Sequence, residues 1–103
     1  MLVVLAVSFV GIQALADAAP TISGCPAPIA VNNDPGVCGA NVTWTEPLAH
    51  DDIGITVFDW IRSDGLEPSH DFPVGVTTVT YTAIDTIGQT VTCVFTVTVT
   101  DNE

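Results

Sequence analysis

The sequence has almost no positive charge. It contains no lysine, and Arg62 is the one cation against 12 aspartates and glutamates, so the net charge is -11 over 103 residues. A nucleic-acid surface needs several cations to neutralise phosphates, and attraction to an anionic membrane surface needs them as well. Enzymes that transfer phosphoryl groups also place lysine or arginine at the phosphates. The composition therefore argues against these three classes of function.

Long apolar runs are also scarce, and the one that stands out lies at the N-terminus. Thirteen of residues 1–16 are apolar and none is charged. The run is shorter than the about 20 residues of a membrane span, and Ala14, Ala16 and Ala18 follow signal-peptidase spacing. We therefore expect residues 1–16 to be a secretory signal peptide and the mature domain not to insert into a membrane. Because no cation precedes the run, an uncleaved anchor or a truncated gene start remain alternatives.

Helical periodicity is absent from the sequence after residue 17, and the β-branched residues valine and threonine dominate it. The clearest strand is Thr90–Thr100, in which apolar side chains alternate with threonines over eleven residues. Its predicted partner is Thr77–Ile84, and residues 85–89 between them include Gly88 and suit a hairpin turn. This pair indicates an antiparallel sheet with one buried face.

Shorter strands are predicted upstream of this hairpin, at Ile29–Val31, Asn41–Thr45 and Ile55–Arg62. Residues 33–36 (Asn-Asp-Pro-Gly) form a strong turn signal, and residues 72–75 (Phe-Pro-Val-Gly) mark a corner. Short strands at about ten-residue spacing are typical of a β-sandwich, and no crossover helices support a parallel sheet. We predict an all-β, antiparallel β-sandwich.

Short motifs of cysteine, proline, glycine and β-branched residues follow one another through this region. In chain order they are Pro20-Thr21-Ile22, Cys25-Pro26, residues 29–36, Cys38-Gly39-Ala40, residues 42–47, 72–75 and 77–83, Asp85, Gly88 and residues 92–99. Together they resemble the HYR (hyalin repeat) domain, an immunoglobulin-like extracellular module. The resemblance covers about residues 19–102 and is least close over residues 51–71.

The HYR resemblance implies a secreted or cell-surface protein whose HYR units usually stand in tandem or beside other extracellular modules. The implied role is adhesion or matrix assembly through extracellular protein partners, or that of a spacer, and not catalysis. Residues 100–103 resemble the joint at which a next unit would begin. A second hypothesis is an accessory carbohydrate-binding module of a secreted protein, whose partners would be glycans.

Three cysteines in a short secreted chain suggest one disulfide and one remaining thiol. The resemblance implies that Cys25 and Cys93 are the bonded pair, and such a link would constrain the unfolded chain by about 4 kcal/mol. In related repeats Cys38 has a partner, but Ile53 stands at the matching position here. We expect Cys38 to be a buried free thiol, with an intermolecular disulfide or a different pairing as alternatives.

Two positions are candidate contacts to sugars. Asn41-Val42-Thr43 is an N-glycosylation sequon, and the alternation places its first and third residues on the solvent side. We expect modification in a eukaryotic secretory pathway and none in a bacterium. We expect Trp60, like the other aromatic residues, to pack in the core; because it lies beside Asp59 and Arg62 in the least regular predicted strand, the alternative is an exposed ring that stacks on a sugar or anchors a protein interface.

The remaining polar clusters carry a weaker chemical signal. His50-Asp51-Asp52 and His70-Asp71 contain residue types of metal sites and His–Asp pairs, but no serine lies in a nucleophile elbow, so we interpret both as solvated loops. A second acidic set could collect Ca²⁺ at one end of the domain, although without EF-hand spacing: Asp51, Asp52, Asp85, Asp101 and Glu103. We expect no catalytic residue, no cofactor, and at most weak association of Ca²⁺ with the acidic surface.

Overall fold

The computed structural model of the protein describes residues 18–103, and no helix occurs among them. The predicted signal peptide, residues 1–16, lies outside the described residues. The strands in chain order are β1 (Thr21–Ser23), β2 (Ile29–Asn32), β3 (Gly39–Ala40), β4 (Leu48–His50), β5 (Ile55–Arg62), β6 (Phe72–Pro73), β7 (Gly75–Asp85) and β8 (Thr90–Thr100). The predicted all-β fold is confirmed. None of the described residues forms a helix that is long and apolar enough to cross a membrane.

The main layer is a four-stranded sheet in the order β2-β8-β7-β5. β7 pairs antiparallel with both β8 and β5, and the turn between β7 and β8 is the predicted one. β2 instead runs parallel to β8, with Ile29 opposite Val97 and Asn32 opposite Thr100. The sheet is therefore mixed and not purely antiparallel as predicted, because β2 and β8 run in the same direction.

The second layer consists of two short antiparallel pairs, β1 with β4 and β3 with β6. The predicted strand at Asn41–Thr45 is wrong, because these residues form no ladder with a neighbouring strand. The backbone N–H of Asn41 donates to the Asp34 carboxylate at 2.9 Å instead. The segment still presents Val42 and Trp44 to the core, so its side chains alternate as in a strand while its backbone is not paired as one.

The core lies between the two layers and is built mainly by the alternate residues of β7 and β8. Its buried members are Ala40, Phe72, Val79, Tyr81, Cys93, Phe95, Val97 and Val99. Half-buried side chains of β2, β5 and the 41–46 segment close it at the sides. The alternation predicted for the long hairpin is thus the pattern that fills the core.

A disulfide between Cys25 and Cys93 ties the connection after β1 to the middle of β8. Its Cα–Cα distance of 5.8 Å is typical of disulfides, and the structure contains the predicted pairing. Cys38 forms no disulfide with Cys25 or Cys93, and it is exposed and not buried as expected. The correction follows from its position just before β3, where the chain comes out of the turn at residues 34–37.

Candidate functional site

The single cation of the chain holds one loop in place. Arg62 ends β5 with its side chain pointing inward, and it forms an ion pair with Asp64 through Nη2 and Oδ2 at 2.9 Å. Its Nε donates to the other Asp64 oxygen at 3.1 Å, so the pair is bidentate. The remaining N–H groups donate to three backbone oxygens of the loop, those of Glu67, His70 and Asp71. One guanidinium therefore holds the middle and the end of the 63–71 loop, while Ser63 at its start is bonded to Thr78.

The Arg62–Asp64 pair also sets the titration of that carboxyl group. Partial burial acts to raise the pKa of Asp64, but hydrogen bonds from Arg62 and from the Leu66 backbone, together with the positive charge of Arg62, outweigh it. The net result is a lowered pKa, so folding favours the ionised form of Asp64.

Trp44 is the aromatic centre of the second layer. Its ring meets Trp60 and Phe95 edge-on, each with centroids 5.1 Å apart, and Phe72 at 5.9 Å. Its indole N–H donates to the hydroxyl of Tyr81 at 2.8 Å. Burial raises the pKa of Tyr81, and a hydrogen bond to the Glu46 carboxylate acts in the same direction, while the Trp44 bond opposes it. The Trp44–Tyr81 hydrogen bond is thus a polar contact inside this group of aromatic rings.

A cleft opens beside these aromatic rings, and we call it the tryptophan cleft. It has a volume of about 240 Å³ and is lined by Asn41, Val42, Thr43, Trp44, Glu46, Trp60, Pro68, Ser69 and His70. One wall is the sequon segment and the other is the loop held by Arg62. The floor combines two indole rings with a ring of polar groups, which is the composition of a site for a small polar molecule with an apolar face.

Trp60 lines this cleft and packs against the core, so it is neither fully buried nor the fully exposed ring of the alternative interpretation. It is half-buried, with its ring 5.7 Å from Tyr81 as well as edge-on to Trp44. The reason is the alternation of β5, which directs Phe58, Trp60 and Arg62 inward and Asp59 and Ile61 outward. That alternation was present in the sequence and would have placed Trp60 and Arg62 correctly.

The predicted sequon residue Asn41 is exposed at the rim of the tryptophan cleft. Its side-chain amide donates to Asp71 Oδ1 across a distance of 3.5 Å, so it is held only weakly. Thr43 is exposed as well, as the alternation predicted. Cys38 lies in a neighbouring depression of about 250 Å³, together with Leu66 and His70.

The main sheet turns its other side to solvent, and we call this side the outer face. It consists of alternate residues of β2, β5, β7 and β8: Ala30, Asn32, Val57, Asp59, Ile61, Val76, Thr78, Thr80, Thr82, Ile84, Thr92, Val94, Thr96 and Thr98. Ile61, Thr80 and Val94 form one row across three strands. Ile61 is 68% exposed, Val94 55% and Val76 67%. Apolar side chains thus stand among threonines with no charged neighbour on this side except Asp59.

The five acidic residues considered for Ca²⁺ do not lie together. Asp51 and Asp52 lie near the β7–β8 hairpin, since Ile55 pairs with Asp85. Asp101 and Glu103 lie at the opposite end of these strands, where the Glu103 carboxylate accepts the N–H of Gly36 at 3.1 Å. Among residues 18–103, no three histidine, cysteine or acidic side chains are grouped as metal ligands would be.

The two histidines lie in different elements. His50 ends β4 opposite Thr21, and His70 lies in the loop held by Arg62. Both are exposed. The hydrogen bonds of the described residues connect neither histidine to a serine hydroxyl. The loop interpretation is wrong for His50, which belongs to a strand, while His70 lies in a loop.

The motifs, the disulfide and the two-layer fold can now be set beside known proteins. A model of the HYR domain matches residues 17–99. The chain belongs to the HYR family. The HYR domain described here is 38% identical over 85 residues to the sushi, von Willebrand factor type A, EGF and pentraxin domain-containing protein 1 of Rattus norvegicus and also to that of Mus musculus. It is 40% identical over 82 residues to hyalin of Strongylocentrotus purpuratus.

These matches cover 82% of the chain for the two mammalian proteins and 78% for hyalin. They cover 2% of each mammalian relative and 6% of hyalin. The HYR domain thus corresponds to a small part of each relative, and the likeness concerns this module alone.

Proposed function

We propose that this HYR domain is a non-enzymatic module of the extracellular space that binds a protein partner through its outer face. Its relatives are extracellular, adhesion-related proteins. The observation that supports a binding role is the row of Ile61, Thr80 and Val94. Two strongly exposed apolar side chains on one sheet face, Ile61 on the edge strand β5 and Val94 on the inner strand β8, form a surface that a partner would cover.

The charge of the domain defines the chemistry of that partner. Arg62 is buried and paired with Asp64, so the surface of residues 18–103 carries carboxylates and no exposed arginine or lysine. A basic partner would be drawn to this surface, and at physiological ionic strength the attraction would act over about 8 Å. The proposed partner therefore has an apolar centre that fits the outer face and a basic rim.

A cell-attachment assay tests this proposal. Fibroblasts are seeded on wells coated with the wild-type domain or with an Ile61→Thr/Val94→Thr double variant, which keeps the β-branched shape and removes apolar contact. We expect attachment to wild-type wells and a loss of at least about tenfold in apparent affinity for the variant, since buried interface side chains contribute about 1–2 kcal/mol each. Attachment should also weaken as salt is raised.

The matched control is Leu48→Thr/Ile87→Thr. Leu48 is 69% exposed and Ile87 61%, but they lie in β4 and in the β7–β8 turn, away from the outer face. If both double variants lost cell attachment equally, the loss would come from lower surface hydrophobicity in general and not from the outer face. Attachment no higher than on albumin-coated wells, or attachment unchanged in Ile61→Thr/Val94→Thr, would overturn the proposal.

Carbohydrate binding is the second candidate function, and the tryptophan cleft favours it. The site holds two indole rings and polar groups at its rim, but at about 240 Å³ it lies below the about 300–1,000 Å³ of typical ligand sites. It would accept a single sugar unit. Glycan-array binding by unglycosylated domain that disappears on Trp60→Ala would support this function, and a blank array would remove it.

We propose that Ca²⁺ associates with this domain only weakly, as a counterion of its surface carboxylates. The candidate carboxylates are split between the two ends of the domain, and Asp85 is buried with one oxygen accepting the N–H groups of Ile87 and Gln89, so only the exposed carboxylates would act as surface charges. A calorimetric titration should show no saturable binding below millimolar Ca²⁺. Saturable binding in the micromolar range would contradict this view and would require a defined site.

A further inference from the structure

The sequon and the aromatic floor meet in one cleft. Asn41 and Thr43, the first and third residues of the sequon, line the same cleft as Trp44 and Trp60. The asparagine that would carry a glycan therefore stands at the edge of a surface suited to a sugar ring. This adjacency is independent of the outer face and of the proposed adhesion function.

The chemistry of the tryptophan cleft suits N-acetylglucosamine. A pyranose ring has a face of C–H groups, which packs on an indole as other apolar groups do. The hydroxyl and N-acetyl groups need polar partners, and Glu46, Ser69 and His70 stand around the cleft. The volume of about 240 Å³ leaves room for one sugar unit and not for a longer chain.

We propose that Asn41 is N-glycosylated in a eukaryotic secretory pathway and that the first N-acetylglucosamine of its glycan rests in the tryptophan cleft. Because the sugar is covalently attached at the edge of the cleft, its effective concentration at the cleft is about millimolar. A free sugar would have to be present in solution at about that concentration to match it. Weak stacking is then sufficient to keep the cleft filled. The glycan thereby covers Trp60, joins the sequon segment to the 63–71 loop and excludes free sugars from the same site.

The modification is a group transfer from a lipid-linked oligosaccharide pyrophosphate. A bond forms between Asn41 Nδ2 and the anomeric carbon of the sugar, while the bond from that carbon to the pyrophosphate oxygen breaks. The lipid pyrophosphate leaves with the electron pair, one Nδ2 proton is lost, and nothing is oxidised or reduced. One N–H remains on Asn41, so the weak bond to Asp71 Oδ1 can persist.

The test compares single-sugar and sugar-free forms of the full chain. The protein is secreted from mammalian cells that make only high-mannose glycans, and the glycan is trimmed to one N-acetylglucosamine. Thermal unfolding is measured for this form, for Asn41→Gln and for Thr43→Ala, each with and without Trp60→Leu. We expect the sugar to raise Tm by about 4 °C with Trp60 present and to give no rise with Trp60→Leu.

A relocated sequon provides the matched control. Thr98→Asn in the Asn41→Gln background creates the same Asn-Val-Thr tripeptide on the outer face, away from both tryptophans. A single sugar there should leave Tm unchanged. An equal rise at both positions would show that the effect does not come from the cleft and would overturn the proposal.

A second readout keeps the proposal testable if Trp60→Leu fails to fold. In the NMR spectrum of the single-sugar form, the N-acetyl methyl group should be shifted upfield by the indole rings and should show contacts to Trp44 or Trp60 ring protons. An unmodified Asn41 in the secreted protein, or a methyl signal at its free-sugar position, would overturn the proposal. Saturable quenching of tryptophan fluorescence in the glycosylated form by free N-acetylglucosamine would do so as well, since the cleft would then be open.

Discussion

The guanidinium carbon of Arg62 lies 3.8 Å from the centre of the Phe72 ring. This contact places the one cation of the chain inside the domain, where its side chain is fully buried. Phe72 is itself buried and belongs to β6, which pairs with β3. The one cation of the chain therefore binds a loop inside the domain and adds no positive charge to the surface. The surface of residues 18–103 carries carboxylates.

Replacing Arg62 with methionine should destabilise the domain strongly. The change removes the donor of three loop carbonyls, those of Glu67, His70 and Asp71, and a buried acceptor left unpaired costs about 1–3 kcal/mol. Denaturant unfolding should show a lower midpoint with an unchanged slope.

The matched change is Asp64→Asn, which removes the charge of the acid but keeps the three carbonyl contacts of Arg62. It should cost less than Arg62→Met, because the guanidinium keeps its three backbone acceptors, but the loss should be measurable, because the buried cation loses its counter-charge. If Arg62→Met unfolded with the same midpoint as Asp64→Asn, the loop would not depend on the buried guanidinium.

The ion pair should also make the stability of the domain depend on pH. Because the pKa of Asp64 is lowered on folding, the ion pair stabilises the domain above the unfolded pKa of about 3.9, and this stabilisation is lost as the pH falls through the folded pKa.

Gly39→Ala should also destabilise the domain, for a steric reason. A Cβ at this position would lie 2.6 Å from the backbone oxygen of Phe72, closer than such atoms approach in proteins. The β3–β6 pair would have to open, and with it the cover over Trp44. We expect a loss of about 2 kcal/mol or more in denaturant unfolding.

Gly36→Ala is the comparison for that change. Gly36 has φ of 77°, but a Cβ there meets nothing within 4 Å. It should cost only about 1 kcal/mol, the strain of a left-handed conformation without a clash. Equal losses for Gly36→Ala and Gly39→Ala would mean that the contact with the Phe72 carbonyl carries no penalty of its own.

The sequence predicted the long strands well because their signal is local. In Thr90–Thr100 and Ile55–Arg62 the strand bounds follow from alternation and β-branched composition, and the structure has the same bounds. Alternation reports which side of a strand is buried, and it does not report whether the backbone finds a partner. The Asn41–Thr45 segment shows the difference, since its side chains alternate while its first N–H bonds to Asp34.

The tryptophan cleft was harder to predict because it joins distant segments. Asn41 and Trp60 were both singled out from the sequence, but nothing local indicates that they share one cleft. One side of the cleft is the 63–71 loop, which has no regular structure. Arg62 holds this loop through hydrogen bonds to its backbone oxygens. Backbone acceptors leave no residue-type signature, so this arrangement becomes visible only in three dimensions.

Cys38 should be the one cysteine that reacts in the folded protein. It is exposed, whereas Cys25 and Cys93 are joined to each other. Alkylation of the native protein followed by mass spectrometry should label Cys38 alone, and the other two should react only after reduction and unfolding. Cys38→Ser should change the free energy of unfolding by no more than about 0.5 kcal/mol, as expected for an exposed site. Native labelling of Cys93 would contradict the pairing seen in the structure.

The stability of the domain should fall in alkaline solution because of Tyr81. Burial raises its pKa on folding, and the nearby Glu46 carboxylate acts in the same direction, so the folded state favours the neutral phenol, which accepts from the Trp44 N–H. A raised folded pKa means that this stabilisation is fully present below the unfolded value of about 10 and is lost as the pH rises through the folded value. Denaturant midpoints in a Cys38→Ser background should therefore fall between about pH 9 and pH 12, with no lysine to contribute. Because Tyr81 is the single tyrosine, its ionisation can be followed by ultraviolet absorbance in the same samples.

Tyr81→Phe should abolish the alkaline decline while lowering stability at neutral pH by about 1–3 kcal/mol, since the Trp44 N–H loses its acceptor. An alkaline decline of the same size in Tyr81→Phe would assign it to another group and refute this role of Tyr81.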